Sequence, residues 1–321
     1  MASQHLGSSR RNFVLGTIFA AALLLAVTHL RSQPPIILCA QPLSETAPAP
    51  TTTTAPGLRL RECILHAVGG LQVYANLTKL LQDCLAKHTS VHDSDFLSFD
   101  MGRYDEHKYF LPFAGDRKAS RAPASCRWLT IGIGGDDLVE QQFKQRFPDC
   151  AVFGVEPSSD QHANFSHWGT VIPVAVGVTA GSLPMRVRVP SGLYTFRKVP
   201  IVPLDEALDE HLGSRIVHMA TLDIEGFEYP ILTALRRDRR LGGEAGVTFC
   251  QIDTELHSWA VTVKFPMEYT SFEAFFADFI RHSDYLPLIA SDFLIHRKVT
   301  LVNVADERCA SVFALKQYRI L

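Results

Sequence analysis

The chain lacks a charge excess of either sign: 31 lysines and arginines face 33 aspartates and glutamates, a formal net charge of −2. That removes the electrostatic ground for a nucleic-acid partner. No convincing internal repeat is present, so nothing points to a solenoid or propeller. No C-x-x-C pair occurs among the seven cysteines, which speaks against a zinc site. Long apolar runs are scarce. Phe13 to Leu30 carries no charged residue, and no clean small-x-small cleavage site directly follows it.

That run is just long enough to cross a bilayer, which takes roughly 20 apolar residues. Arg10 and Arg11 precede it and favour a cytoplasmic N-terminus, against Arg31 on the far side. The expected layout is a cytoplasmic tail at 1–12, a transmembrane signal-anchor at 13–30 and a stem at 31–56. A helical extension follows at 57–125, and the main domain occupies 126–321. The stem is rich in Pro, Thr and Ala, with Thr51 to Thr54 in a row, a composition that cannot bury a core. The expected body is luminal, on a single-pass type II protein of the Golgi or another secretory-pathway membrane; a cleaved signal peptide is the rival reading, and it too leaves the body luminal or extracellular. The sequons Asn76-Leu77-Thr78 and Asn164-Phe165-Ser166 agree, since glycosylation at Asn76 and Asn164 is available only in the secretory pathway.

Cys63, Cys84, Cys126, Cys150, Cys250 and Cys309 lie in that body. Cys126 and Cys150 each precede a β-rich run, and parallel neighbours would bring them to one end of a sheet. Cys63 and Cys84 flank a helical pattern and could staple the extension. Six cysteines allow fifteen pairings, which the sequence leaves open; the bland reading of Cys250, inside an apolar strand, is a buried thiol.

The most informative stretch is Leu129-Thr130-Ile131-Gly132-Ile133-Gly134-Gly135-Asp136, a β-branched run entering a glycine turn. Val152-Phe153-Gly154-Val155-Glu156-Pro157 follows as a strand ending in a carboxylate. A glycine turn lets backbone approach a ligand closely, and an acid at the next strand's tip can accept from ribose hydroxyls. Together they describe a nucleoside-cofactor site with Gly132, Gly134, Gly135 and Glu156 as its binding residues.

Downstream, apolar and amphipathic runs alternate. Helices are expected at Leu138 to Phe147, Gln161 to Trp168, Leu204 to Leu212, Tyr229 to Arg236 and Phe272 to His282. Strands are expected at Val152 to Glu156, Val171 to Val178, Met185 to Val189, His218 to Ile224 and Val247 to Leu256. Three short β-like pieces close the chain, at Asp292 to Ile295, Leu301 to Val304 and Ser311 to Gln317. This alternation predicts a mostly parallel sheet covered on both faces, with ligands at the carboxyl ends of its strands. Two further strand ends are chemically distinctive: Asp223-Ile224-Glu225-Gly226-Phe227-Glu228 and Asp253-Thr254-Glu255-Leu256-His257.

Leu222-Asp223-Ile224-Glu225-Gly226-Phe227-Glu228 followed by Ile231-Leu232 resembles the D-(I/V)-E-G-x-E segment of FkbM-type methyltransferases. Pro203 to Leu208 is similar to the Leu-Asp motif that precedes it there, Glu156-Pro157 to the acidic-Pro pair, and Val174 to Gly177 to the third-strand A-V-G. Met101 to Tyr109 is similar to an element of membrane-anchored animal relatives. The resemblance implies a class I, S-adenosylmethionine-dependent O-methyltransferase with an α/β Rossmann-like sheet of about seven strands, antiparallel near the C-terminus. It departs in three places: Thr130 where many relatives carry an acid, Asp136 in place of a glycine, and Glu106-His107 where animal relatives often have two glycines.

In that frame Asp223 is the expected base and also borders the cofactor, with His257 as the second candidate base. Glu225 and Glu255 would shape the acceptor pocket or share a divalent metal with Asp223. The layout resembles that of Golgi glycan-modifying enzymes, so a glycan or small-molecule hydroxyl is the expected acceptor. Two other readings are a catalytically silent luminal binding module and an NAD(P)-dependent oxidoreductase. The second lacks the third glycine of G-x-G-x-x-G, having Asp137 there.

Overall fold

The computed structural model describes residues 55–69, 73–102, 106–115, 122–189, 191, 193–258 and 268–321. All belong to one unit, Pro48–Leu321. The tail, the anchor and nearly all of the stem expected from sequence lie outside the described residues, as do Arg103 to Asp105. Among the described residues no helix is long and apolar enough to cross a membrane.

The chain begins with helices α1 (Ala55–Val68) and α2 (Val73–His88), which Cys63–Cys84 joins by a disulfide. A hairpin of β1 (Leu97–Asp100) and β2 (His107–Phe110) follows. Then come β3 (Arg127–Ile131), α3 (Leu138–Arg146), β4 (Ala151–Val155) and β5 (Thr170–Ile172). A small sheet is built from β6 (Ala175–Gly177), β7 (Gly181–Arg188) and β8 (Tyr194–Pro203). The remainder is α4 (Leu204–Leu212), β9 (Ile216–Leu222), α5 (Glu228–Ala234), β10 (Thr248–Leu256), α6 (Phe272–His282), β11 (Tyr285–Phe293), β12 (His296–Asn303) and α7 (Glu307–Val312).

The seven-stranded sheet runs β11-β12-β10-β9-β3-β4-β5. Its members from β10 through β5 are parallel, and β12 and β11 are antiparallel. Strand order reverses between β3 and β9, so the carboxyl ends of these two strands open the crevice where such sheets bind ligands. The strands are apolar on both faces because both are covered: four of five residues in β3 and six of seven in β9 are buried. Trp128 on β3 meets Phe143 of α3 at 4.4 Å between ring centroids. On the other face α6 lays Phe272, Phe275, Phe276, Phe279 and Ile280 into the core at helical spacing. Its start is fixed by Ser271, whose side chain accepts from the Ala274 N–H.

Several expectations are corrected. The helix expected over Gln161 to Trp168 is two short 3-10 turns, because Ala163 between them sits at φ +49°. The strand expected over Val171 to Val178 breaks at Pro173, with β5 in the main sheet and β6 in the small one. Proline lacks the N–H a continuous strand would need. The small sheet's long hairpin, β7 and β8, was visible only as Met185 to Val189, since Pro184, Pro200 and Pro203 obscure the alternation. The closing β-like pieces are instead one long hairpin, β11 and β12, and α7. The residues from Ser311 onward belong to α7 and a 3-10 turn, Leu315–Tyr318. Cys250 is not a free thiol: it pairs with Cys309, tying β10 to α7. Cys126 and Cys150 are bonded across the amino ends of β3 and β4.

Candidate functional site

At the exit of β3 the backbone turns through Gly132 (φ +95°), Gly134 (φ +63°) and Gly135 (φ +80°), conformations that favour glycine. The three have different neighbours. A Cβ on Gly132 would lie 2.1 Å from the Asp223 carbonyl oxygen, so this glycine lets β3 and β9 exit side by side. A Cβ on Gly135 would lie 2.8 Å from Gln161 Oε1. A Cβ on Gly134 would meet nothing within 4 Å, so its bare backbone faces the cleft. Asp136, which replaces a glycine of the family pattern, accepts from the Leu138 N–H at 3.0 Å and fixes the start of α3. Asp137 accepts from the Trp168 indole at 3.0 Å.

Glu156 stands at the end of β4, on the opposite wall. Its Oε1 accepts from the Ser158 N–H at 2.9 Å and its Oε2 from the Gly134 N–H at 3.3 Å. Burial raises its pKa, and those two backbone donors work against the rise. The carboxylate is therefore held in one orientation, tied to the glycine turn itself. Below it, Thr130 is not a gap in the acidic pattern. Its hydroxyl donates to the Glu140 carboxylate and accepts from the Trp128 indole at 2.8 Å. Glu140 comes from α3 and lines the same cleft. Burial pushes its pKa up to about 7, with the Thr130 hydrogen bond opposing.

The β9 and β10 ends are charge-dense. Lys108 of β2 is buried, and its Nζ lies 3.7 Å from Asp223 Oδ2, 3.7 Å from Glu106 Oε1 and 3.8 Å from Asp253 Oδ1. None of these separations is a hydrogen bond. Burial opposes the Lys108 ammonium, yet Asp223, Asp253, Glu106 and Glu255 together outweigh it and hold its pKa above that of ordinary lysine. Lys298 of β12 pairs with Glu106. Next to this group, His257 presents Nδ1 to Glu228 Oε1 at 3.0 Å. Its Nε2 faces Glu255 Oε1 at 3.7 Å, Glu225 Oε2 at 3.8 Å and Asp223 Oδ1 at 3.9 Å. Burial pulls its pKa down, but Glu228, Asp223 and Glu255 pull harder and raise it to about 10. Burial and the Asp223 charge push Glu255 up to about 8.

Glu228 does not serve simply as an N-terminal helix charge. Its Oε1 also accepts the Ile224 N–H at 2.6 Å, bracing the turn in which Glu225 takes φ +57°. The turn thereby aims Asp223 and Glu225 into the cleft, which both line. So the structure brings Gly132, Gly134, Glu156, Asp223 and Glu225 to one cleft, with Glu255 and His257 behind Asp223. Gly135 lies beside it, against Gln161. Asn76 and Asn164 are exposed. Sequence reading missed Lys108, Glu106, Lys298 and Glu140. Lys108 and Glu106 lay within the Met101–Tyr109 element without a role assigned, and Glu140 left a trace as an acid on the helical face shared with the buried Val139 and Phe143.

A glycine turn, a backbone-held carboxylate and a charge-dense wall meet at the topological switch point, where open α/β sheets bind ligands. A model of the methyltransferase FkbM domain matches residues 83–287, and the chain belongs to that family. Nothing among curated proteins matches it. Among solved structures, the antibiotic-resistance methyltransferase Kmr is similar at 19% identity over 64% of this chain and 100% of its own, with a TM-score of 0.30. The fibrillarin pre-rRNA processing protein of Methanococcus jannaschii is similar at 10% identity over 68% and 89%, also with a TM-score of 0.30. The family implies S-adenosylmethionine as cofactor. It leaves the oxidoreductase reading without support.

Proposed function

We propose that the chain is an S-adenosylmethionine-dependent O-methyltransferase acting on the hydroxyl of a glycan or small molecule on the luminal side of a secretory-pathway membrane. The observation that carries this reading is the single cleft in which Gly134 and Glu156 face Asp223. The cofactor's sulfonium carries an electrophilic methyl group and its own leaving group, so the protein's tasks are alignment and proton removal.

The residues divide those tasks. Glu156 holds the ribose hydroxyls, and the bare Gly134 backbone admits the methionine portion. Glu140, buried beside it, accepts from the methionine ammonium and supplies the carboxylate that Thr130 lacks. Asp223 lines the cleft and takes the acceptor's proton as its oxygen forms the new bond to carbon. His257 lies behind Asp223, outside the cleft lining, and positions it. Lys108 faces the same carboxylate from the other side and restrains it electrostatically. The luminal placement draws support from three disulfides in the body, which persist in oxidising compartments, and from the exposed sequon asparagines. The membrane anchor at 13–30 is part of the same proposal and rests on the sequence.

Calorimetric titration of the full chain with S-adenosylmethionine, S-adenosylhomocysteine and NAD tests the reading. Micromolar binding of both adenosyl compounds is expected, weakened about tenfold or more by Glu156→Ala through loss of charge-assisted hydrogen bonds. A folded chain that binds NAD, or none of the three, overturns it. Cofactor binding without turnover on any hydroxyl acceptor would favour the silent binding module.

A further inference from the structure

Large apolar side chains left in water are few and unevenly placed. Among the described residues six are exposed, and five of them sit on two hairpins: Leu183, Leu193 and Phe196 on β7–β8, Leu294 and Ile295 at the turn of β11–β12. Leu193 is 70% exposed, Phe196 59%, Leu294 75% and Ile295 56%. Single exposed apolar residues are ordinary, whereas their gathering on loop tips marks a surface that something covers.

Both hairpins belong to the cleft end of the sheet. Leu256, the last residue of β10, pairs with Arg297, so the turn Leu294-Ile295 lies at the carboxyl ends of the parallel strands. His296, next to it, has its ring 4.5 Å from that of His257. Met185 of β7 lines the cleft, and the ribbon runs on from it for roughly 13 Å to Val189. There it turns, with the Val189 N–H donating to the Leu193 carbonyl at 2.8 Å.

The same ribbon is basic. From Gly181 to Pro203 it carries Arg186, Arg188, Arg197 and Lys198 and no acidic residue, in a chain of net charge −2. Arg197 and Lys198 are exposed, and among the described residues no carboxylate pairs with either. Elsewhere arginines are matched: Arg215 meets Asp209, Arg236 meets Asp278 and Arg240 meets Asp205. Apolar tips beside unmatched cations fit a partner that is apolar within and anionic at its face.

We infer that the two hairpin tips dock on an anionic phospholipid surface, with Leu193, Phe196, Leu294 and Ile295 entering the acyl boundary and Arg197 and Lys198 meeting lipid phosphates. An acidic glycan would engage the cations alone and leave the aliphatic tips in water. A folded protein partner needs one continuous, shape-matched patch, while a fluid bilayer accepts separate protrusions. Docking follows from this surface alone. Its consequence rests on the methyltransferase reading: the cleft is turned toward hydroxyls carried at the lipid surface.

The test reconstitutes the full chain with vesicles of phosphatidylcholine, alone or mixed with phosphatidylserine, whose acyl chains are brominated to quench tryptophan. Phe196→Trp and Leu294→Trp place a reporter at each tip. Ser311→Trp is the control, exposed on α7, which Cys250–Cys309 ties to the opposite end of the sheet. Quenching beyond that of the parent chain is expected at both tips and not at the control. It should be at least about twofold greater with phosphatidylserine, and the pair Arg197→Gln and Lys198→Gln should remove that increase. Tips quenched no more than the control, or equally in both lipids, overturn the docking. So does retention on heparin that the paired substitution abolishes while the tips stay unquenched, which gives the surface to an acidic glycan. Calorimetry with S-adenosylmethionine on the same samples keeps the two readings apart. Cofactor binding with unquenched tips removes the docking and leaves the methyltransferase reading standing; quenched tips without cofactor binding do the reverse.

Discussion

The two ends of the cleft are built differently. At the β3–β4 end, carboxylates are already hydrogen-bonded: Glu156 to two backbone N–H groups and Glu140 to Thr130. At the β9–β10 end, Lys108 and His257 Nε2 stand 3.7 to 3.9 Å from the carboxylates around them. The first end is a rigid cradle whose shape comes from backbone and local contacts. The second gathers side chains from β2, β9, β10 and β12, and its charges meet mostly across strands. On the proposed reading one cofactor serves every turnover, so its cradle can be prebuilt. On the same reading, the other end holds charge for a proton transfer.

Removing the acceptor end's central carboxylate is the strongest way to separate the two. Asp223→Asn keeps the shape, and methyl transfer is expected to fall about 10^3-fold, within the span seen for general bases. Affinity for S-adenosylmethionine should change by less than about tenfold, because the cradle is untouched. Single-turnover rates with calorimetry on the same variant check both halves. Equal losses in rate and binding would show that the ends do not act separately.

The glycines break the comparison in a different way. Gly132→Ala drives a Cβ to 2.1 Å from the Asp223 carbonyl, which joins the two ends, and its φ is left-handed. A loss of about 3 kcal/mol or more is expected in denaturant unfolding. Gly134→Ala meets no protein atom and should cost only about 1 kcal/mol for its φ, with the loss appearing in cofactor affinity instead. If both variants lose stability equally, Gly134 is a packing glycine and the cradle is misassigned.

This division also explains what could be read in advance. The cradle was legible because its signals are local: Ile131 into Gly132, then Val155 into Glu156, with helix Leu138 onward between them. Leu204–Leu212 and Phe272–His282 were legible by their period. The acceptor wall was half legible. Asp223, Glu225, Glu255 and His257 lie at strand ends, but Lys108 and Lys298 gain their meaning only when β2 and β12 pack beside β10. Glu106, placed where animal relatives often have glycine, reads as a departure until Lys298 pairs with it. Cys250 failed for the same reason, its partner Cys309 being 59 residues away. The β7–β8 hairpin failed because prolines broke a pattern that tertiary pairing restores.

The pH-dependent prediction sits in the cradle itself. Folding raises Glu140 from 4.5 to about 7, with burial as the main cause. Between those values the folded chain holds a proton that the unfolded chain has released. Stability from this group is therefore complete below about pH 4.5, falls as pH rises, and is gone above about pH 7. The full span corresponds to about 3 kcal/mol. Glu140→Gln keeps a hydrogen-bonding partner for Thr130 without the ionisation, so it should match the parent near pH 5 and exceed it by up to about 3 kcal/mol above about pH 8. Urea unfolding at the two pH values measures this. The same variant should bind S-adenosylmethionine more weakly, because the neutral amide no longer attracts an ammonium. A gain in stability with no loss of affinity would leave Glu140 a buried acid beside the cradle and remove it from the cofactor site.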